Sequence, residues 1–312
     1  MSNLVSRSTS LLALGALLSG CAGSATRTAP VPAGVQRVVQ ASTGATVSFR
    51  TMADAAAQTD VVFFGEQHDD DETHRAELQL LTEIGNRKKG KVVLSLEMFE
   101  RDVQPVLDAY LAGTLSEADF RTQSRPWPNY VADYRPLVEL AKARGWRVIA
   151  ANVPRRLASI VSRRGLAAVD SLSAADRGFV ARELSCPKDK YYENFIAVMG
   201  GGHGGAGGAP TAGATRSPTD LFYEAQCVKD ETMAEAIVAA QTAGGAGTTV
   251  IHYTGAFHSD YGLGTASRVT RRLPALKTLV VSAVPTPTPA TADAKEFLPR
   301  GQFIILALRT KP

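Results

Sequence analysis

Six short apolar runs, each bounded by polar or glycine positions, constrain this chain more than any other feature. They are Val61-Val62-Phe63-Phe64, Val92-Val93-Leu94-Ser95-Leu96, Arg147-Val148-Ile149-Ala150, Thr249-Val250-Ile251-His252-Tyr253, Thr278-Leu279-Val280-Val281-Ser282 and Phe303-Ile304-Ile305-Leu306-Ala307-Leu308. Few positions inside them alternate apolar with polar, so each run reads as a strand covered on both faces, which predicts a largely parallel sheet. Helical segments lie between them. Glu72 to Asn86 carries Leu78, Leu81 and Ile84 on one stripe. Val103 to Ala112 follows, and Ser116 with Asp119 reads as a capping box opening another helix. Tyr134 to Arg144 is expected to stop at Gly145, and Pro154 to Arg163 at Gly165. Strands alternating with helices predict an α/β fold, a three-layer α/β/α sandwich.

Roughly a hundred residues separate the third and fourth runs, far more than an ordinary connection. They are expected to form a helical insert or subdomain over about 155–240, including helices at Ser173 to Cys186 and Leu221 to Ala240. Inside it, Gly200 to Gly208 is a low-complexity glycine tract expected to be mobile.

The 312 residues carry 34 Lys+Arg against 30 Asp+Glu, a net charge of +4. That balance, with no basic helix interleaved with aromatics, argues against a nucleic-acid partner. The only segment apolar enough to meet a membrane is the run Leu11 to Leu18, preceded by Arg7. It is too short to span a bilayer and reads as residues 1–20 of a signal peptide. Leu18-Ser19-Gly20-Cys21 resembles a bacterial lipobox, so Cys21 is expected to be lipidated. With Ala22 rather than Asp following it, the expected home is the outer membrane, facing the periplasm or cell surface. Residues 21–45, rich in Ala, Gly, Thr and Pro, read as a flexible tether to an α/β domain spanning 46–312. Cys186 and Cys227 are the other two cysteines; in an oxidising compartment they can pair, or they can stay as free buried thiols.

The chemistry concentrates at strand ends. The first strand closes in Gly65-Glu66-Gln67-His68, the fourth in Gly255-Ala256-Phe257-His258, and the second supplies Glu97. In an open parallel sheet these ends share one edge, where ligands bind. Glycine is expected there to let the backbone turn. Two imidazoles with Glu66 and Glu97 have the donor set for a divalent metal, or for general acid–base work. His74 is expected to face solvent, His252 to be a core residue, and His203 to sit in the glycine tract. Asp69-Asp70-Asp71 reads as helix capping rather than metal binding.

Several longer motifs, beginning with Gly65-Glu66-Gln67-His68 and Leu96-Glu97-Met98-Phe99-Glu100-Arg101, resemble the ChaN-type haem-binding lipoprotein family. The others are Gln104 to Gly113, Tyr134-Arg135-Pro136-Leu137, Ala151 to Arg155, Tyr223-Glu224-Ala225-Gln226, Asp230 to Ala234 and Arg271-Arg272-Leu273-Pro274. The resemblance runs in order from about Asp60 to Pro274 and extends to the TraB/Tiki and erythromycin esterase-like proteins. It implies a membrane-anchored lipoprotein that binds haem or iron non-covalently, with a role in haem or iron uptake and a possible pairing of two subunits. It adds Glu231 to a polar site of Glu66, His68, Glu97 and His258. For haem, a Tyr or His is expected as axial ligand, Tyr134 first with Tyr130, Tyr223 and Tyr253 as alternatives, Arg125 and Arg135 for the propionates, and Trp127 and Trp146 as apolar lining. The alternative the resemblance carries is a Tiki-like metal-dependent hydrolase on the paired Gly-x-x-His motifs. Lys229 stands where the family often has Trp, and Phe257 where a small residue is usual.

Overall fold

The structure, a computed structural model, describes residues 36–200 and 216–309. The signal peptide, Cys21 and the glycine tract beyond Gly200, with His203, lie outside the described residues. All six expected strands are present: Val61–Glu66 (β3), Val92–Glu100 (β4), Arg147–Asn152 (β5), Thr249–Gly255 (β6), Thr278–Thr286 (β7) and Phe303–Leu308 (β8). They form one parallel block in the order β8-β7-β3-β6-β4-β5.

Two strands precede that block, Gln36–Gln40 (β1) and Ala45–Val47 (β2), and extend the sheet antiparallel beyond β8. Residues 36–45, expected within the tether, are instead part of the sheet, because β1 and β2 pair onto it. The reason is long-range pairing: β8 would otherwise leave an open edge, and β1 lies along it with Val38 opposite Ile305 and Val39 opposite Ile304. Val38 and Val39 are buried by this pairing, yet two valines among polar residues make too short a run to stand out in sequence.

Helices cover both faces. One layer contains Phe49–Ala56 (α1), Asp71–Lys88 (α2), Gln104–Leu111 (α3), Glu117–Ser124 (α4) and Arg135–Arg144 (α5). Its core joins Met52, Leu80, Leu81, Ile84, Leu137 and Val138 to Val62, Phe64, Leu94 and Leu96 on the strands. The Asp triplet serves as expected for a cap: Asp70 Oδ1 accepts from the Thr73 backbone N–H at 2.8 Å.

The other face is closed by Pro218–Gly244 (α9) and Gly264–Arg272 (α10), with Ala234, Ile237, Ala240 and Val269 packed on Val61, Phe63, Val93 and Val250. This corrects the helical insert. The second half of α9 is a sheet-covering helix; only its first half belongs with Arg155–Arg164 (α6), Ala174–Arg177 (α7) and Lys190–Gly200 (α8). Its 27 residues are long enough to serve both roles. Cys186 and Cys227 are joined by a disulfide, with Cα atoms 5.6 Å apart. Among the described residues, no helix is long and apolar enough to cross a membrane.

Candidate functional site

β3 and β6 lie side by side at the centre of the sheet, with Gly65 opposite Thr254 and Glu66 opposite Gly255. The chain leaves β3 through α2 towards β4, and leaves β6 through α10 towards β7, in opposite directions across the sheet. Such a divergence opens a crevice at the carboxyl ends of the strands. The two Gly-x-x-His motifs flank it.

Neither glycine has a left-handed backbone, so the turn expected of them is not their role; close approach is. A Cβ on Gly65 would stand 2.8 Å from Ser259 Oγ and 2.9 Å from Ala256 Cα. One on Gly255 would stand 2.9 Å from His68 Nε2. The His68 ring thus lies directly on the end of β6, where any side chain would displace it.

Each imidazole is held by a carboxylate. Glu66 Oε1 is 2.5 Å from His68 Nδ1 and also accepts from the Tyr134 hydroxyl at 2.7 Å. Asp230, on α9, holds His258 Nδ1 at 2.8 Å and accepts from Thr265 Oγ1 at 2.8 Å. Glu97 lies between the two systems. Its Oε2 accepts from Thr254 Oγ1 at 2.6 Å and from the Gly255 N–H at 2.8 Å, and its Oε1 is 3.6 Å from His258 Nε2.

Burial pushes the Glu97 carboxyl up, but His258, His68 and Lys229 outweigh it and bring it down to about 2. Burial likewise pushes both imidazoles down; Glu66 and Glu97 at His68, and Glu97 and Asp230 at His258, raise both above the usual value. Close opposite charges favour the charged forms, so the site is a set of compensated ion pairs. His258 is buried, while His68 keeps 44% of its side chain exposed.

The crevice continues into a cavity of about 520 Å³, within the size range of small-molecule sites. Its polar end is Glu66, His68, Glu97 and His258; its apolar wall is Trp127, Phe195, Val198, Met199 and Phe257; Lys229 and Arg155 supply cations. Trp127 packs edge-on to the His68 ring, with centroids 4.8 Å apart.

The other expected residues lie elsewhere. Tyr134 is buried behind Glu66 with its hydroxyl committed, so it is not a free axial ligand. Tyr223 donates to the Pro187 carbonyl at 2.6 Å, and Arg135 forms a fork with Glu117 at 2.6 and 2.7 Å. Neither lines the cavity. Glu231 does not reach the cleft: it is buried within α9, facing Arg268, Arg271 and Arg272. Its neighbour Asp230 is the residue that reaches the site. Adjacent helical positions point about 100° apart, and Gln226, Lys229 and Asp230 share the face towards the cleft while Glu231 turns to α10. Once Gln226 is known to face the cleft, the i, i+3, i+4 spacing places Lys229 and Asp230 beside it. His74, expected in solvent, is buried on α2 beside Tyr134.

His252 is the core histidine expected, with Nδ1 2.9 Å from Ser95 Oγ. Burial holds its pKa down at about 4. The folded chain then binds fewer protons than the unfolded one between about pH 6.5 and 4, so stability falls as pH drops through that window. His252→Asn is expected to remove about 2 kcal/mol of the loss between pH 7 and pH 5. Urea unfolding at both pH values checks it; equal pH dependence in variant and parent refutes it.

Comparison with known proteins adds three findings. The sequence profile described as haem-binding uptake, Tiki superfamily, ChaN matches residues 52–269. A solved structure described as cofacial heme binding to ChaN of Campylobacter jejuni superposes with a TM-score of 0.62 at 14% identity, covering 88% of this chain and 97% of that one; this is a likeness of fold. Protein RETICULATA-RELATED 5, chloroplastic, of Arabidopsis thaliana is 25% identical over 205 residues. The match takes in 60% of this chain and 25% of that protein, so the chain spans about a quarter of its relative's length.

Proposed function

The chain belongs to the haem-binding uptake family of the Tiki superfamily that includes ChaN, and from that membership we propose that it binds haem non-covalently in the cleft above β3, β4 and β6. One observation carries the reading: a partly exposed His68, fixed through Nδ1 by Glu66, faces a cavity walled by Trp127, Phe195, Val198, Met199 and Phe257. A carboxylate held on one ring nitrogen orients an imidazole and makes its other nitrogen a better ligand. The donor set and the apolar wall fit a porphyrin. His68 would supply the axial nitrogen, and Lys229 and Arg155 the counter-charge for propionates. Bound haem would supply a redox-active iron, and His68, Lys229, Arg155 and the apolar wall would bind and orient it. The apolar rim left by Ile196 and Val198 on α8 supports closure of the cleft by a second copy of the chain.

Anchorage through Cys21 at the outer membrane, and service in haem or iron uptake, complete the proposal. The lipobox-like Leu18-Ser19-Gly20-Cys21 supports the first, and the family's description the second. A second reading, a metal-dependent hydrolase, is favoured by the Asp230–His258 pair aimed at Glu97. There His68 and His258 would hold a divalent ion while Glu97 or Glu66 accepts a proton from water.

Titration of the purified chain with hemin is expected to give a saturable Soret shift. His68→Ala should weaken binding at least tenfold, while Tyr134→Phe should leave the band position unchanged. Unsaturable spectral change, or His68→Ala binding as the parent does, would sink the haem reading. Hydrolysis abolished by His258→Ala in a chain that fails to bind hemin would favour the second.

A further inference from the structure

Behind the cleft, where β3 meets α2, lies a second set of ligating atoms, built from the far oxygen of Glu66 with His74 and Glu77. Glu66 turns only one oxygen, Oε1, to His68 and Tyr134. Its Oε2 is buried and has no hydrogen-bond partner. It stands 3.4 Å from His74 Nδ1, and Glu77 Oε2 stands 3.0 Å from the same nitrogen. Glu77 Oε1 is likewise buried without a partner. The side chains of Glu66 and Glu77 are 0% exposed and that of His74 is 4% exposed. Among the described residues no Lys or Arg pairs with either carboxylate; the ion-pairing partners are His68 and His74.

The tautomer of His74 sharpens the problem. Its Nε2 is 3.3 Å from the His68 carbonyl oxygen, to which it can only donate, with Asp133 Oδ2 beyond at 3.7 Å. A neutral ring with its proton on Nε2 presents the Nδ1 lone pair to two carboxylates. Burial and the neighbouring Glu66 carboxylate push the Glu77 carboxyl well above its usual value, so without a metal the cluster keeps a proton on Glu77; one divalent ion would take that proton's place among the three groups. One ligand atom from each residue lies within 4.8 Å of the others. In a tetrahedral or octahedral shell with bonds of about 2.1 Å, neighbouring ligands sit about 3.0–3.4 Å apart. The two distances from Nδ1 are such polyhedron edges.

We propose that Glu66 Oε2, His74 Nδ1 and a Glu77 oxygen form a buried site for one divalent first-row transition ion, separate from the haem cleft. Two carboxylates and a neutral imidazole balance a doubly charged cation and suit zinc, manganese, cobalt or ferrous iron. The His74 Nε2–H to carbonyl bond is the outer-shell contact that metal-bound histidines usually make. Glu66, shared between the two sites, would tie the ion to the position of His68. His74 and Glu77 line no part of the cleft, so the proposal stands whether or not hemin binds there.

The test is a Co²⁺ titration of full-length protein stripped with chelator and dialysed. One equivalent is expected to bind, with visible ligand-field absorption and a rise in the thermal midpoint from preferential binding to the folded chain. Glu77→Gln, close in shape to the native residue, should weaken Co²⁺ binding at least tenfold and abolish the thermal shift. His74→Ala should do the same. His258→Ala should retain one equivalent. The proposal is overturned if the parent binds no Co²⁺, which would leave the cluster to share protons. It is also overturned if His258→Ala loses the ion while Glu77→Gln keeps it, which would assign the metal to the cleft. Hemin titration of the same variants reports on the cleft separately.

Discussion

Glu231→Leu is expected to destabilise the fold by about 3–5 kcal/mol, the usual cost of removing one partner from a buried ion cluster. The residue is buried on α9 and receives three guanidiniums from α10: Arg268 Nε at 3.2 Å, Arg271 Nη2 at 2.6 and 2.8 Å, and Arg272. The Ser185 backbone N–H also donates to it, at 3.3 Å. Arg268 and Arg272 are 4% and 11% exposed, so without the carboxylate their charges stay buried, with only Asp230, 3.9 Å from Arg268, left as a nearby acid. Arg271, 46% exposed, can turn to solvent and accounts for little of the loss. Urea unfolding measures the change. The variant chains that remain folded should give an unaltered hemin Soret band, because Glu231 faces α10 rather than the cleft. Loss of hemin binding at parental stability would contradict this placement.

The second large effect concerns the Cys186–Cys227 disulfide, whose ends are separated by 41 residues. Closing a loop of that length reduces the entropy of the unfolded chain by an amount equivalent to about 4 kcal/mol on the chain-entropy account. Replacing both cysteines by serine should lower stability by about that much, and reductant should shift the parent similarly. The effect should reach the ligand. Cys227 packs with Tyr191, Phe195 and Tyr223, and Phe257 and Met199 lean on this cluster. Phe195, Phe257 and Met199 are also the cleft's apolar wall. Weaker hemin binding in the serine pair is therefore expected beside the fall in stability. If reductant changes neither, the link does not brace that wall.

Much of the candidate site was legible because its residues sit where local patterns end. An apolar run followed by Gly-x-x-His marks a strand terminus, and parallel strands place their termini on one edge. Glu66, His68, Glu97 and His258 could therefore be grouped before any distance was known. That Asp230 and Lys229 join them could not be told. Each depends on which side of a helix or loop is turned to the sheet, and that is set by packing between segments distant in sequence.

The local periodicity of the chain by itself determined the six central strands, most helices between them and their stops, since runs of apolar residues and caps act over a few residues. It did not determine β1, whose burial depends on an open edge some 270 residues away, a distance over which sequence pattern carries no pairing information. Nor did it separate Asp230 from Glu231, or tell that His74 is buried and Tyr134 already bound. Those outcomes were decided by the tertiary structure, because a polar side chain's role follows from the partners that burial leaves it, and those partners come from other strands and helices.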